Sequence, residues 1–378
     1  MPDEIKQRKA EHVQAALQQD LSAPQTASWR DIRLVHQALP EVDLDAIDTS
    51  VNFLGQTLKY PLLISAMTGG HPDVTAINRT LALAAERYGL ALGVGSQRAG
   101  ILNPEVAESY AVTRANAPNA FLIANVGAPQ LIEQTRSQPF TLEQVRSAIR
   151  MIEANALAVH MNSLQEAAQP EGDRRAVGEA RALKILAGAI DRPIVAKETG
   201  AGINREQALL LKQCGVAAMD VGGAGGTSMS AMEAVRSSER GDARTHAIGQ
   251  LYRDWGIPTP ISLIEAGSAG LPLIATGGVR SGLDIARALA LGASVVGMAF
   301  PFLKAASESF EAVCELLEGL ILELKVAMQL SGAASVNAMR QVDVVVIGET
   351  YHWLKLRGFE ETLKTLARRR QIDYSELS

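Results

Sequence analysis

Eight short apolar runs, each followed by an Ala- and Leu-rich stretch of helical period, recur from Pro61 onward, and this alternation restricts the fold more than any other feature of the chain. The runs are Leu62–Met67, Ala91–Gly95, Phe121–Val126, Leu157–Asn162, Pro193–Lys197, Ala217–Gly222, Leu273–Thr276 and Ser294–Ala299. Helical candidates lie between them at 74–88, 104–117, 141–154, 174–190, 204–214, 229–236 with 245–254, and 281–291, and a closing helix follows at 305–330. Strands joined through helices run parallel, because a crossover is needed to bring the chain back to the same edge. Eight such units predict an α/β fold closed as a (β/α)8 TIM barrel. An open doubly wound sheet is the alternative, but it expects GxGxxG after the first strand, and that pattern is absent.

The flanks divide the chain into an arm at 1–60, the barrel at 61–330 and an extension at 331–378. Residues 4–19 read as a helix on which Arg8 and His12 share a face, with Lys9 beside them. Leu21 to Asp48 is irregular, broken by Pro24 and Pro40, and reads as a segment laid over the barrel. Val342 to Ile347 is apolar enough for either a short strand or a buried helix. A net charge of -5 gives no basic footprint for nucleic acid, so an anionic ligand must be met by a local site. Two cysteines without CxxC spacing fit a reducing compartment. The polar N-terminus and the lack of a long apolar run point to a cytoplasmic protein without membrane spans.

Chemistry in such a barrel gathers at the C-terminal strand ends. The first candidate strand delivers Ser65, Ala66, Met67 and Thr68, the second Ser96 and Arg98, the third Asn125, and the fifth Lys197. The last three run into Gly222 through Ser228, Gly277-Gly278-Val279-Arg280 and Met298-Ala299-Phe300. Glycines there let backbone N–H groups close on a phosphate, and each alone is more simply a tight turn; three in succession favour a phosphorylated cofactor.

The fourth strand carries the densest cluster, His160-Met161-Asn162-Ser163-Leu164-Gln165-Glu166. Strand alternation puts Ala158, His160 and Asn162 on one face. The ordinary alternative is a core histidine followed by a solvated loop. Lys197 needs a partner for its charge: an electron-rich ring, a salt bridge to Glu166 or Glu198, or a Schiff base. Glu166 among amides suits a hard cation such as Mg2+, or serves as a charge partner to its neighbours. No histidine pair has zinc-like spacing and no serine sits in GxSxG, which weakens metal-hydrolase and serine-hydrolase readings.

Arg8-Lys9-x-Glu11-His12, Ser65 to Gly70, Ser96-x-Arg98, His160-x-Asn162-x-x-Gln165-Glu166 followed by Gln169-Pro170-Glu171-Gly172, Gly225 to Ser228, Trp255 to Thr259 and Gly277 to Arg280 together resemble type II isopentenyl diphosphate isomerase, from about 8 to 350. The resemblance implies an FMN-dependent barrel that interconverts isopentenyl and dimethylallyl diphosphate without net redox change. It implies FMN held by Ser65, Ala66, Met67, Thr68, Ser96, Asn125, Lys197, Gly222, Thr227, Gly278, Val279, Arg280, Ala299 and Phe300, with Lys197 near the ring's N1 and C2 carbonyl. Substrate would meet Arg8, Lys9, His12, Ser96, Arg98, His160 and Gln165, with His160, Asn162 and Gln165 as the catalytic candidates and Glu166 on Mg2+. Reduced flavin would be the principal acid and base, with NAD(P)H or another donor as reductant, and the chain a homo-oligomer, tetrameric or octameric. Met229 stands where the family commonly has an aromatic residue. An FMN-dependent 2-hydroxy acid oxidase or dehydrogenase, and a flavin-binding protein without turnover, are the competing readings.

Overall fold

Strands buried on both faces read as nearly unbroken apolar runs, because helices cover one side and neighbouring strands fill the other. In the computed structural model, which describes residues 21–23 and 28–370, all eight predicted runs form strands of a closed parallel barrel. In chain order the strands are β1 (Ile32–Leu34), β2 (Val51–Phe53), β3 (Gln56–Leu58), β4 (Leu62–Ile64), β5 (Ala91–Gly93), β6 (Phe121–Gly127), β7 (Ala156–Met161), β8 (Ile194–Glu198), β9 (Ala218–Asp220), β10 (Leu273–Thr276), β11 (Val295–Met298) and β12 (Val344–Val346). β4 to β11 follow one another around the barrel, and β11 returns to β4 with Val296 opposite Leu62. Every residue of β6 is buried, which accounts for its lack of alternation.

The N-terminal end of the barrel is closed by the β2–β3 hairpin, with Phe53 edge-on to Phe121 at 5.5 Å between ring centroids. The ambiguous run at Val342–Ile347 resolves as β12, antiparallel to β1 with Ile32 opposite Val346. The predicted closing helix is two helices, Phe300–Glu308 and Phe310–Leu330. Ser309 separates them with an extended backbone and caps the second, its side chain accepting from the Ala312 N–H. A further helix, Thr259–Gly267, was not expected from the sequence.

That extra helix ties the C-terminal extension to the barrel through the buried Glu265. Its carboxylate accepts from Arg205 N at 3.0 Å, Trp353 Nε1 at 3.0 Å and Arg357 Nη2 at 3.1 Å. Burial pushes this carboxyl up, but the hydrogen bonds from Arg357, Arg205 and Trp353 outweigh it and the result lies below the ordinary glutamate value. A carboxyl with a depressed folded-state value contributes stability that is present above the ordinary glutamate range and is lost as pH falls through the depressed value. Acid titration followed by tryptophan fluorescence should therefore show destabilisation between about pH 5 and pH 2, and Glu265→Gln should flatten that part of the profile. Identical acid slopes in both proteins would refute the contribution.

Candidate active site

Ser65, Ala66, Met67, Ser96, Asn125, Lys197, Gly222, Thr227, Gly278, Val279, Arg280, Ala299 and Phe300 line one cavity at the C-terminal mouth of the barrel. Thr68 stands behind it, buried, donating from its hydroxyl to Asn78 Oδ1. His160, Gln165 and Met229 complete the lining on the side of β7 and of the helix Met229–Glu239. The thioether thus occupies the wall where an aromatic ring was expected from the resemblance.

The loops after β9 and β10 approach each other too closely for any side chain. A Cβ on Gly226 would sit 2.9 Å from Gly278 N, and one on Gly278 2.8 Å from the Gly225 carbonyl oxygen. Gly278 also has φ +72°, a left-handed conformation that glycine adopts at no steric cost. The arm braces these loops from outside: Ser22 bridges Thr227, Ala23 N donates to the Gly226 carbonyl at 2.8 Å, and Trp29 Nε1 donates to the Gly277 carbonyl at 3.2 Å. Arg8, Lys9 and His12 lie outside the described residues.

The cavity fits a flavin phosphate on chemical grounds. Bare backbone at Gly226 and Gly278 leaves amides open to an anion, Arg280 lines the same space, and Ser65 Oγ is buried without a partner. Burial lowers the Arg280 guanidinium, partly offset by Asp284. The neighbouring Glu198 carboxylate accepts from the N–H groups of Gly200, Ala201 and Gly202 at 2.7, 2.5 and 3.1 Å and so fixes the loop after β8. Burial nevertheless raises it to about 7, against those N–H groups and Lys197.

Lys197 pairs with neither acidic residue expected from the sequence. Its Nζ donates to Asp220 Oδ2 at 2.8 Å, and Glu198 contributes only its backbone carbonyl, at 3.3 Å. The physical reason is register: Lys197 and Asp220 are opposite one another in the β8–β9 ladder, so their side chains leave the barrel wall together. Nothing in the linear order announces that stagger.

His160 Nδ1 lies 2.8 Å from Asn125 Oδ1, while Asn125 Nδ2 donates to the Val94 carbonyl at 3.0 Å. That second bond fixes the carboxamide orientation, so His160 Nδ1 is the donor. Gln165 Nε2 donates to Glu233 Oε1 at 2.9 Å. Glu233 in turn takes Arg236 on its other oxygen, and Arg236 reaches Glu171 at 2.9 Å. Glu233 and Arg236 are 0% and 2% exposed, so the Gln165 amide is held by a rigid, buried network. The sequence reading named neither Glu233 nor Arg236; their i, i+3 spacing on a helix was the available signal, and it carries no inward direction.

Beside the cavity, Asn162 Nδ2 donates to Glu166 Oε1 at 2.9 Å, and Glu166 Oε2 accepts from Asp173 N at 2.7 Å. Arg98 Nη1 meets the Asp173 carboxylate at 2.5 Å, while Arg98 Nε and Asn162 Oδ1 are buried without partners. Glu179 is raised to about 7 by burial and by the Glu166 charge. Among the described residues no three His, Cys, Asp or Glu cluster as a metal site, so a cation at Glu166 would take its remaining ligands from amide, water or ligand oxygens.

The model of the FMN-dependent dehydrogenase family matches residues 125–345. An isopentenyl-diphosphate delta-isomerase of Methanosarcina barkeri is 45% identical, covering 93% of this chain and 95% of the relative. That of Methanothermobacter thermautotrophicus is 43% identical over 97% of this chain and 99% of the relative. Among solved structures, a mandelate oxidase variant with a monooxide FMN adduct has a TM-score of 0.60 at 19% identity, covering 92% of this chain and 99% of that one. At that identity the likeness concerns the fold. No helix among the described residues is long and apolar enough to cross a membrane.

Proposed function

We propose, from the premise that this chain belongs to the isopentenyl-diphosphate delta-isomerase family, that it interconverts isopentenyl and dimethylallyl diphosphate. The observation that carries the reading is the placement of Gln165 and His160 on one wall of a cavity whose other walls are glycine loops, Arg280 and Lys197. Bound FMN, in its reduced form, would supply acid and base function and an electron-rich face. Ser65, Gly226, Gly278 and Arg280 would hold its phosphate end, and Asn125 and Lys197 its ring.

The isomerisation adds a proton at the terminal alkene carbon and removes one from C2. The chain's own part in this is to orient and exclude water. Gln165, clamped between Asn162 and Glu233, offers an amide of fixed direction to the alkene. A carboxamide is a poor proton carrier at neutral pH, so its role is orientation. His160, oriented by Asn125, adds a second fixed polar contact. Arg98 would exchange the Asp173 carboxylate for a diphosphate oxygen, and its partnerless Nε is a donor in the right place.

Glu166 and the partnerless Asn162 Oδ1 would hold Mg2+ through hard oxygens, and the ion would supply positive charge to a bound diphosphate. Arg8, Lys9 and His12 belong to the same diphosphate clamp, NAD(P)H is the reductant, and the protein is a cytoplasmic homo-oligomer in this reading. Arg98→Ala is expected to raise KM by about 10- to 100-fold, the size of a charged hydrogen bond of ~1.5–3 kcal/mol. Lys9→Ala should raise KM while FMN content stays normal; loss of FMN with unchanged KM would remove Lys9 from the clamp. The reading as a whole is tested by the visible spectrum of purified protein before and after dithionite, followed by assay of the same sample. A colourless protein, or a yellow one inert toward isopentenyl diphosphate after reduction, would overturn it.

A further inference from the structure

Lys197 is met by a buried carboxylate that is not among the residues lining the large cavity. Asp220, at the end of β9, is 2% exposed and borders a small internal void beneath the ammonium, together with Ile123, Ala158 and Ile274. Its Oδ2 accepts from Lys197 Nζ at 2.8 Å; its Oδ1 takes the Thr276 hydroxyl and, at 3.3 Å, the Gly222 N–H. Three strands, β8, β9 and β10, therefore fix one carboxylate, and that carboxylate fixes one ammonium. Lys197 itself lines the large cavity. The other titratable groups about it are His160, opposite it in the β7–β8 register, and Glu198, next in its own strand; Arg280 lines the same cavity.

We propose that Asp220 is a positioning residue for the flavin, aiming the Lys197 ammonium into the cavity. The inference deepens the cofactor reading above and rests on it. The carboxylate that holds Nζ does not itself line the cavity, whereas Lys197 does. The pair thus has little net charge but presents its positive end to the bound ring, favouring an electron-rich, anionic form over a neutral one.

The test uses the full chain freed of flavin and titrated at neutral pH with oxidised and with dithionite-reduced FMN. The quantity read is the ratio of the two dissociation constants. The wild-type protein should prefer reduced FMN. In Asp220→Asn this preference should fall by about tenfold or more, because the ammonium is no longer aimed at the ring. Lys197→Met should lose the same preference, and adding Asp220→Asn to it should lower it no further. Thr276→Val, which keeps the pair but frees one carboxylate oxygen, should give a smaller fall in the same direction and serves if Asp220→Asn fails to fold. An unchanged preference in Asp220→Asn, or a further fall when Asp220→Asn is added to Lys197→Met, would overturn the assignment. If the wild-type chain takes up no FMN, the cofactor reading and this one fall together. If it takes up FMN and isomerises while the ratios coincide, only the role of Asp220 falls.

Discussion

Lys197→Met is expected to lower stability by about 3–5 kcal/mol, because it strands the Asp220 carboxylate inside the barrel with hydrogen bonds but no counter-charge. The methionine itself fits: it is nearly the same length, and its thioether packs against apolar neighbours. The cost is thus electrostatic rather than steric. That distinction is checkable, since a second change, Asp220→Asn, removes the stranded charge and should restore most of the lost stability. Guanidinium denaturation of wild type, the two single variants and the double variant measures it. A single-variant loss below about 1 kcal/mol, the range of exposed ion pairs, would mean that water reaches the pair freely.

Gly278→Val should reduce FMN affinity by at least about 100-fold, equivalent to ~2.7 kcal/mol. Its backbone lies in the left-handed region, where a β-branched residue is strained by roughly 1–3 kcal/mol. Its Cβ would also press on the Gly225 carbonyl, 2.8 Å away. The loop must shift to relieve both, and with it the amides that face the phosphate. FMN titration by fluorescence quenching reads the loss, and far-UV circular dichroism should stay close to wild type because the strained segment is a loop. Near-normal FMN uptake would show that the phosphate rests elsewhere.

The barrel was legible because its signal is repeated: β4 to β11 each gave a short apolar run, and the helices between them kept their period. What the sequence hid has particular causes. The helix Thr259–Gly267 is buried on every side from Thr259 to Ala266, so it has no polar stripe for a helical period to reveal. β12 is decided by its pairing with β1 from the opposite end of the chain, which no local window contains. The break at Ser309 depends on one extended residue inside a run of good helix formers.

In the site, most residues named from strand ends line one cavity because strand ends converge at the barrel mouth, while Thr68 lies behind it and Arg98, Asn162 and Glu166 beside it. The partners behind them did not follow from position. Asp220 faces Lys197 through the stagger between β8 and β9, Glu233 reaches Gln165 from a helix that follows a different strand, and Asp173 meets Arg98 from a loop. Each is a contact between elements distant in sequence, and each was a carboxylate that composition alone could not place.

Isomerisation without net redox is tested most directly by anaerobic incubation of the FMN-loaded protein, reduced once, with isopentenyl diphosphate and Mg2+, following product and flavin absorbance together. Many molecules of dimethylallyl diphosphate should form per FMN while the flavin stays reduced and no further reductant is consumed. Formation of no dimethylallyl diphosphate, with 2-hydroxy acids instead being oxidised by the oxidised protein, would contradict the isomerase reading.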